Sequence, residues 1–170
     1  FSYEKKIKKS LTKYQINYSL FFYGTLRSLE VRKAVIGESS DNHNISIGYL
    51  LKHKVFRVKN ANYPLIKYTN NQVDVVKGLL INNITFEELK KLDRFEGKNY
   101  FRQFVKVNVD QIHHDAQIYM PTKNIVSEEP WDYEKWYKND MKNFFIYEFD
   151  LNGVKSVSYT HLTLPTMAIV

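Results

Sequence analysis

Two short segments of the chain contain the residue types of a small active site. Residues 92–97, Leu-Asp-Arg-Phe-Glu-Gly, place the Glu96 carboxylate at the end of a predicted helix, between Phe95 and Gly97. Residues 22–26, Phe-Tyr-Gly-Thr-Leu, form the end of a predicted strand and a loop. The N–H groups of such a loop can bind an anion or a developing oxyanion. A sheltered carboxylate beside such donors could transfer protons next to a polarised carbonyl group.

Each segment has a chemical and a structural interpretation. Phe95 and an aromatic-rich core would withdraw Glu96 from water and raise its pKa toward that of a working base. The alternative for Glu96 is a solvated carboxylate at a helix end. Gly24 would let the backbone approach a ligand closely or adopt a positive φ. The alternative for the loop is an ordinary turn after a strand, and the residues alone leave both questions open.

The elements that would position these segments are mostly β-strands, as short apolar runs and alternating patterns indicate. Strands are predicted at Leu20–Tyr23, Ile45–Val58, Leu65–Tyr68, Val73–Ile81, Phe104–Val109 and Ala116–Met120. The second strand would bend at Gly48, and the last two would be joined by a turn near residues 113–115.

Three helices are predicted from caps and apolar periods. Ser28 can cap a short helix. Thr85 and Glu88 form a capping box at the start of a two-turn helix that Gly97 ends. A third helix with aromatic anchors is predicted over residues 130–147. Strands and helices do not alternate regularly, so the pattern indicates an α+β protein with a curved antiparallel sheet or a small barrel.

The composition is that of an ordinary globular domain, and it excludes several kinds of chemistry. The 170 residues suit one domain, with 44% hydrophobic and 25% charged residues. No Cys is present, which excludes disulfides and cysteine zinc sites. The adjacent His113 and His114 have no Cys and no further His nearby with which to bind a metal ion. We therefore expect neither a metal nor a cofactor. No membrane span or signal peptide is recognisable, so we expect a cytoplasmic protein without a membrane partner.

The net charge of +7 raises the alternative of a nucleic-acid-binding protein. The basic residues are scattered, however, apart from a cluster at Lys5, Lys6, Lys8 and Lys9. The abundance of Lys, Asn, Ile and Tyr is also what an AT-rich genome encodes. We therefore expect no nucleic-acid partner.

The ends of the chain differ in composition from its middle. Residues 1–18 are rich in Lys and Tyr and are predicted to be an N-terminal appendage, whose natural start we expect upstream of Phe1. Residues 19–150 are predicted to form the domain. Residues 155–170 contain no acidic residue and resemble translated sequencing adapter, so we expect a non-native tail. A native C-terminal strand is the alternative.

Five segments occur in the order found in a known family. They are residues 22–26, 62–66 (Asn-Tyr-Pro-Leu-Ile), 92–97, 100–102 (Tyr-Phe-Arg) and 116–119 (Ala-Gln-Ile-Tyr). Together they resemble the gamma-glutamylcyclotransferase-like, or AIG2-like, family over about residues 19–121. The resemblance implies an α+β fold, a small mixed, mostly antiparallel β-barrel with flanking helices.

The same resemblance implies an activity and a site. Enzymes of the family cleave gamma-glutamyl amides by internal cyclisation, which releases 5-oxoproline and a free amine. Glu96 matches the position of the catalytic glutamate. Tyr23, Gly24, Thr25 and Leu26 match the loop that cradles the substrate. The expected partner is therefore a small gamma-glutamyl amine or peptide.

Two further residues are candidates on their own chemistry. Tyr119 could place a hydroxyl group in the pocket, although a Tyr on an alternating strand more often belongs to the core. Arg102 could pair with Asp93 or Glu96 and hold the loop, or it could be a surface charge. A binding module of the same fold without turnover is the alternative to an enzyme.

Overall fold

A closed five-stranded barrel is the central element of the computed structural model, which describes residues 16–59, 61, 63–122 and 129–149. The strands are β1 (Tyr18–Phe22), β2 (Ile45–Leu51), β3 (His53–Arg57), β4 (Pro64–Tyr68), β5 (Val75–Ile84), β6 (Tyr100–Val109) and β7 (Ile112–Pro121). The order around the barrel is β1–β5–β2–β6–β7, and β3 pairs with β4 in a separate sheet. β1 and β7 pair in parallel, whereas the other pairs are antiparallel.

Helices pack on one side of the barrel. They are α1 (Leu29–Ile36), α2 (Phe86–Glu96), α3 (Tyr133–Asn139) and α4 (Met141–Phe144), which continues into a π-helical turn (Phe145–Phe149). The predicted α+β class and the small mixed, mostly antiparallel barrel with flanking helices are confirmed.

β1 separates two apolar cores, and both of its faces are buried. Leu20 and Phe22 pack against the helices, whereas Phe21 and Tyr23 belong to the cluster inside the barrel. Successive side chains of a strand point to opposite faces, so a continuous apolar run serves both cores. The strand therefore ends where the barrel rim meets the helical layer.

Two glycines leave room for the Phe21 ring inside the barrel. Gly48 of β2 pairs directly with Gly78 of β5. A Cβ atom at Gly78 would lie 2.6 Å from the Phe21 ring, and one at Gly48 would lie 2.6 Å from Val107. Larger residues would force the strands apart or expel the ring. This packing holds β1 in place.

The long strand predicted over Ile45–Val58 is wrong, because the chain forms two strands in different sheets. β2 runs straight through Gly48, and the break comes at Lys52, whose φ is 61°. A lysine in the left-handed region carries no recognisable turn signal in the sequence. The chain leaves the barrel at this residue and starts the β3–β4 hairpin.

The predicted β6–β7 hairpin exists, but its turn lies earlier than the sequence indicated. Asp110 and Gln111 form the two-residue turn with φ of 50° and 66°. His113 and His114, predicted to lie in the turn, are part of β7 and pair with β6. A two-residue turn with two positive φ values usually contains Asn-Gly or Asp-Gly, so Asp-Gln did not identify it.

The predicted helix caps are confirmed. The Ser28 hydroxyl accepts a hydrogen bond from the N–H of Val31 at 3.2 Å. Thr85 accepts from the Glu88 N–H at 3.2 Å, and the Glu88 carboxylate accepts from the Thr85 N–H at 3.0 Å. α2 is three turns long rather than two, and it ends at Gly97 with φ of 71°.

The third predicted helix is broken near Asp140 into α3, α4 and the π turn. Its predicted anchors Trp136, Phe144 and Phe145 are buried, whereas Trp131 is half-buried. Most of the predicted appendage and the whole predicted tail at residues 155–170 lie outside the described residues, as does the Lys5–Lys9 cluster.

Glu88 joins three elements through its carboxylate. Beyond the capping box, it accepts a hydrogen bond from the Ser39 hydroxyl at 2.7 Å and contacts His43 Nε2 at 2.8 Å. Glu88 is 5% exposed. Burial would raise its pKa, but hydrogen bonds from Thr85, Ser39 and His43 outweigh it and lower the pKa below the ordinary value of 4.5. The contacts of Glu88 with Thr85, Ser39 and His43 therefore stabilise its ionised form in the folded protein.

We expect acid to weaken the fold through Glu88. A lowered folded-state pKa gives stability that is present above the unfolded pKa and is lost as pH falls through the folded value. The free energy of unfolding of the wild type should therefore fall below about pH 4.5, and the gap to Glu88→Gln should narrow there. Urea unfolding at a series of pH values measures both quantities. Glu87→Gln, on the exposed face of the same turn, is the control, and an equal pH dependence in the three proteins would contradict the assignment.

Candidate active site

One cavity lies where the end of β1, the following loop and the end of α2 meet. Its volume is about 130 Å³, close to engineered cavities of about 150 Å³ that bind a molecule of benzene. The lining residues are Phe21, Phe22, Tyr23, Gly24, Thr25, Leu26, Tyr63, Pro64, Phe95, Glu96, Asn99, Tyr100, Tyr119, Phe144 and Glu148. The structure therefore brings the predicted loop, Glu96 and Tyr119 together at one hollow.

Glu96 continues the buried face of α2. Leu89 and Leu92 are buried against the barrel, and Glu96 follows them at helical spacing. The side chain is half-buried and lines the cavity. Burial raises its pKa from 4.5 to about 8, and the carboxylate of Asp93, one turn earlier, adds to the rise. Among the described residues, none donates a hydrogen bond to the Glu96 carboxylate.

Four tyrosines surround Glu96. Tyr23 and Tyr119 are almost fully buried, whereas Tyr63 and Tyr100 are half-buried, and all four line the cavity. Burial raises the pKa of all four hydroxyl groups, and the Glu96 carboxylate raises each further. The tyrosines therefore stay protonated at neutral pH and form a polar but uncharged wall.

Gly24 is needed for a close approach rather than for an unusual φ. Its φ is −119°, so the positive φ considered from the sequence is wrong. A Cβ atom there would lie 2.7 Å from the Pro64 ring, which also lines the cavity. The chain then makes a short 3₁₀ turn over Thr25–Arg27. In the described part of the chain, the N–H groups of Thr25 and Leu26 have no acceptor.

A buried arginine holds this loop from behind. Arg32 of α1 is 4% exposed, and its Nη1 donates to the carbonyl oxygens of Leu26 at 2.8 Å and Arg27 at 2.7 Å. Burial lowers the pKa of the guanidinium. Because the guanidinium donates its hydrogen bonds to two backbone carbonyls of the loop, Arg32 stabilises the loop conformation. No pattern in the sequence indicated this contact.

Behind the cavity, Asp93 is the centre of a polar network. Its Oδ1 accepts hydrogen bonds from the Tyr119 hydroxyl at 2.7 Å and from Arg102 Nε at 2.9 Å. Arg102 Nη1 also donates to Gln117 at 2.7 Å. Tyr119 and Arg102 are direct partners across β6 and β7, so both side chains reach α2 from the same face.

This network answers two questions from the sequence. Arg102 pairs with Asp93 and not with Glu96. Tyr119 lines the cavity, but its hydroxyl donates to Asp93, while its backbone carbonyl accepts from the Tyr23 hydroxyl at 2.8 Å. The oxygen of Tyr119 keeps a lone pair with which it can accept a hydrogen bond from a ligand.

Three cavity residues were not singled out as site residues from the sequence. Tyr63 and Tyr100 lie within segments of the family resemblance but were read only as motif members. Glu148 lies on the π turn, beyond any motif. For Glu96, the seven-residue spacing from Leu89 on the same helix face is a signal that could have predicted the burial of its carboxylate.

The described residues offer no obvious place for a metal ion. Across residues 16–59, 61, 63–122 and 129–149, no three His, Asp or Glu side chains are grouped as metal ligands. Within the same ranges, no helix combines the length and apolar character needed to span a membrane.

The structure combines a small closed β-barrel with a cavity that Glu96 lines, and the similarity to known proteins identifies the family. A family model described as gamma-glutamyl cyclotransferase, AIG2-like, matches residues 20–138. AIG2-like protein C of Arabidopsis thaliana is 31% identical over 133 residues, which is 75% of this chain and 73% of that protein. The chain therefore belongs to the gamma-glutamyl cyclotransferase, AIG2-like family.

Solved structures support the fold. One named gamma-glutamyl cyclotransferase matches with a TM-score of 0.57 at 18% identity, over 82% of this chain and 89% of that one. A solution structure from Arabidopsis thaliana matches with a TM-score of 0.59 at 19% identity, over 80% of this chain and 82% of that one. At these identities the likeness concerns the fold.

Replacing Arg32 with Met should destabilise the protein by about 2–4 kcal/mol, because two buried loop carbonyls would lose a charged donor. Urea unfolding measures the change. Lys33→Met, the same substitution at the next and more exposed position of α1, is the control and should change stability by less than about 1 kcal/mol. Equal losses in both variants would contradict the role of Arg32.

Proposed function

We propose that this protein is an enzyme that cleaves a small gamma-glutamyl amide into 5-oxoproline and a free amine. The proposal rests above all on one observation, the placement of the half-buried Glu96 carboxyl group in the same cavity as residues 23–26. Burial there raises the pKa of Glu96 to about 8. The family membership of the chain supports it. A cavity of about 130 Å³ suits one amino-acid-sized group and not a polymer.

The loop would hold the anionic parts of the substrate. The free N–H groups of Thr25 and Leu26 are suited to the α-carboxylate or to the oxyanion formed at the attacked carbonyl. Tyr23 and Tyr119 close the buried end, so the glutamyl group would lie inside and the amine would leave through the side of Tyr63 and Tyr100.

The reaction needs one carboxyl group and a folded substrate. Glu96 accepts a proton from the substrate's α-ammonium group, and the freed amine attacks the γ-carbonyl carbon. A carbon–nitrogen bond forms and closes the five-membered ring. Glu96 then gives that proton to the departing nitrogen as the original amide bond breaks. The ring nitrogen loses its second proton to Glu96 as it becomes the lactam N–H, and this proton leaves with the released amine, which becomes an ammonium ion. No atom or electron is supplied from outside.

Two physical effects favour this sequence. Nucleophile and electrophile belong to one molecule, and effective molarities of about 10⁵–10⁸ M are reached by well-oriented intramolecular reactions. The pKa of Glu96 also lies near that of an α-amino group, about 8, so the proton can move in either direction at little cost.

Replacing Glu96 with Gln should strongly reduce turnover, because the amide keeps the shape but cannot transfer the proton. Loss of about 10²–10⁴-fold in kcat is expected for a general acid–base group. The assay is 5-oxoproline release from a panel of gamma-glutamyl amines and peptides. Glu87→Gln, a change of the same kind on the exposed face of α2, is the control. Equal turnover by Glu96→Gln and the wild type would reject the role of Glu96.

A stability readout on the same variant distinguishes a catalytic carboxyl from a structural one. A raised folded-state pKa gives stability that is present at low pH and is lost as pH rises through about 8. Glu96→Gln should therefore unfold at a higher temperature than the wild type at about pH 9 and at a similar one at about pH 4. A structural carboxylate would show a lower unfolding temperature in the variant.

Replacing Asp93 with Asn should shift the pH profile of kcat/KM to lower pH. The base must be ionised, so activity rises with pH through its pKa, and Asp93 is one cause of the raised pKa. Asn keeps an oxygen acceptor for Tyr119 and Arg102. Asp115→Asn, on the exposed end of β7, is the control. An unchanged profile, or a shift to higher pH, would contradict this part of the mechanism.

The same assay tests the alternative of a binding module. Tight binding of gamma-glutamyl compounds or 5-oxoproline by calorimetry, with no 5-oxoproline released from any compound of the panel, would favour a protein that keeps the cavity and has no turnover.

A further inference from the structure

Three of the four tyrosines that line the cavity donate their hydroxyl protons to groups of the protein itself. Tyr119 donates to Asp93 Oδ1 at 2.7 Å, and Tyr23 donates to the backbone carbonyl of Tyr119 at 2.8 Å. Tyr100 donates to the backbone carbonyl of Pro64 at 3.0 Å. A phenol has one proton to donate. Each of these oxygens can therefore accept a hydrogen bond from a ligand, but it can donate one only by giving up its internal bond.

The bond from Tyr119 is the most firmly held of the three. Its acceptor is a carboxylate, and hydrogen bonds to ionised groups are about twice as strong as those between neutral groups. Arg102 Nε donates to the same Oδ1 atom of Asp93 at 2.9 Å, and Arg102 Nη1 donates to Gln117 at 2.7 Å. Asp93 cannot turn away from Tyr119 without breaking this ion pair. The hydroxyl proton of Tyr119 is thus fixed on the side of Asp93.

The acceptor that remains on Tyr119 lies close to Glu96. Asp93 and Glu96 are three residues apart on α2, and side chains at this spacing are neighbours with Cβ atoms about 5–6 Å apart. The Tyr119 oxygen contacts the first of these side chains, and Tyr119 lines the same cavity as the second. A nitrogen that gives a proton to Glu96 can therefore donate a second N–H to Tyr119.

We propose that Tyr119 accepts a hydrogen bond from the α-ammonium group of the substrate, and that Asp93 is the positioning residue that makes Tyr119 an acceptor by taking its only proton. The inference rests on the proposed function and adds a contact that determines specificity at that site. An ammonium group on a carbon has three N–H donors, so one can transfer its proton to Glu96 while another is held by Tyr119. The nitrogen is then oriented for ring closure.

A hydrogen bond from Tyr119 to an anionic part of the substrate is the other role that a cavity hydroxyl could have. That role would cost the charge-assisted bond to Asp93, whereas the free N–H groups of Thr25 and Leu26 can bind an anion without such a loss. A hydroxyl that donated to Glu96 would also favour the ionised carboxylate and lower its pKa. The raised pKa of Glu96, about 8, fits hydroxyl protons that point elsewhere.

The test compares the binding of two probes that differ only in the α-amino group. S-butyl-homocysteine sulfone has the length of gamma-glutamyl-propylamide, but its sulfone offers no carbonyl carbon to attack. Butylsulfonyl-butanoate is the same molecule without the amino group. Calorimetry on the full-length wild type should give a lower Kd for the amino sulfone. In Tyr119→Phe this preference should fall by about tenfold, as expected for one hydrogen bond to a charged group, while the Kd of the desamino probe stays unchanged.

Tyr137→Phe is the matched control. The Tyr137 hydroxyl also donates to a carboxylate, Glu30 at 2.6 Å, but Tyr137 does not line the cavity. This variant should keep the wild-type preference. A purely structural role of Tyr119 would weaken the binding of both probes equally. That result, an unchanged preference in Tyr119→Phe, an equal Kd for both probes in the wild type, or binding of neither probe would overturn the inference.

A pair of variants at Asp93 tests the positioning role and keeps the test decisive if Tyr119→Phe folds poorly. Asp93→Asn and Asp93→Leu both remove the charge, but only Asn keeps an oxygen that can accept the Tyr119 proton. The preference for the amino sulfone should be about tenfold smaller in Asp93→Leu than in Asp93→Asn. Equal preferences in the two folded variants would contradict the role of Asp93.

Failure of this contact and failure of the proposed function give different results. Release of 5-oxoproline from the panel of gamma-glutamyl compounds, with equal affinity for the two sulfones, would overturn the contact while the cyclisation stands. The expected preference for the amino sulfone, with no 5-oxoproline released from any compound of the panel, would overturn the proposed function and support the contact.

Discussion

The withdrawal of the Glu96 carboxyl group from water is the constraint on which the site depends. A solvated glutamate would be ionised at neutral pH and would be a weak base, whereas burial raises the pKa of Glu96 to about 8. The last turn of a helix also has exposed carbonyl groups, which disfavour a negative charge. Glu96 stays at this unfavourable place because Leu89 and Leu92 fix the same face of α2 against the barrel. The burial that anchors the helix is thus also what tunes the carboxyl group.

A second constraint fixes what faces that carboxyl group. β1 has one face in the barrel and one under the helices, so it cannot slip by one residue without exchanging its two sets of side chains. Because β1 is fixed in register, the start of the loop that follows Phe22 is fixed as well. Arg32 then removes the remaining freedom by binding two loop carbonyls, and Pro64 packs where a larger residue than Gly24 would sit. Two distant segments therefore meet through packing of the barrel and helices, and among the described residues no hydrogen bond or ion pair joins residues 22–26 to residues 92–97.

Features that depend on neighbouring residues, such as helix caps, were predictable from the sequence. Features that depend on contacts between distant elements were less predictable. The caps at Ser28 and Thr85 follow from side chains that bind the nearest free N–H groups, and the structure has both. The break at Lys52 and the turn at Asp110 depend on positive φ values that tertiary pairing imposes on residues without a turn signal. For the site, the ordered motifs placed Glu96, Tyr119 and the loop in one cavity. Arg32 and Glu148 were missed, because their contacts cross between elements that no periodic pattern connects.

Net charge was the least informative property of this chain. A charge of +7 favours carboxylate ionisation everywhere on the surface and would lower carboxyl pKa values. Glu96 and Glu148 nevertheless have raised pKa values, with burial as the first cause in both. Local desolvation therefore outweighs the field of the whole protein inside the cavity. Distant lysines act through water and salt, which screen them within about 10 Å at ordinary ionic strength. The chemistry of the site follows from the few groups that line it, and burial favours the neutral form of the two carboxyl groups among them.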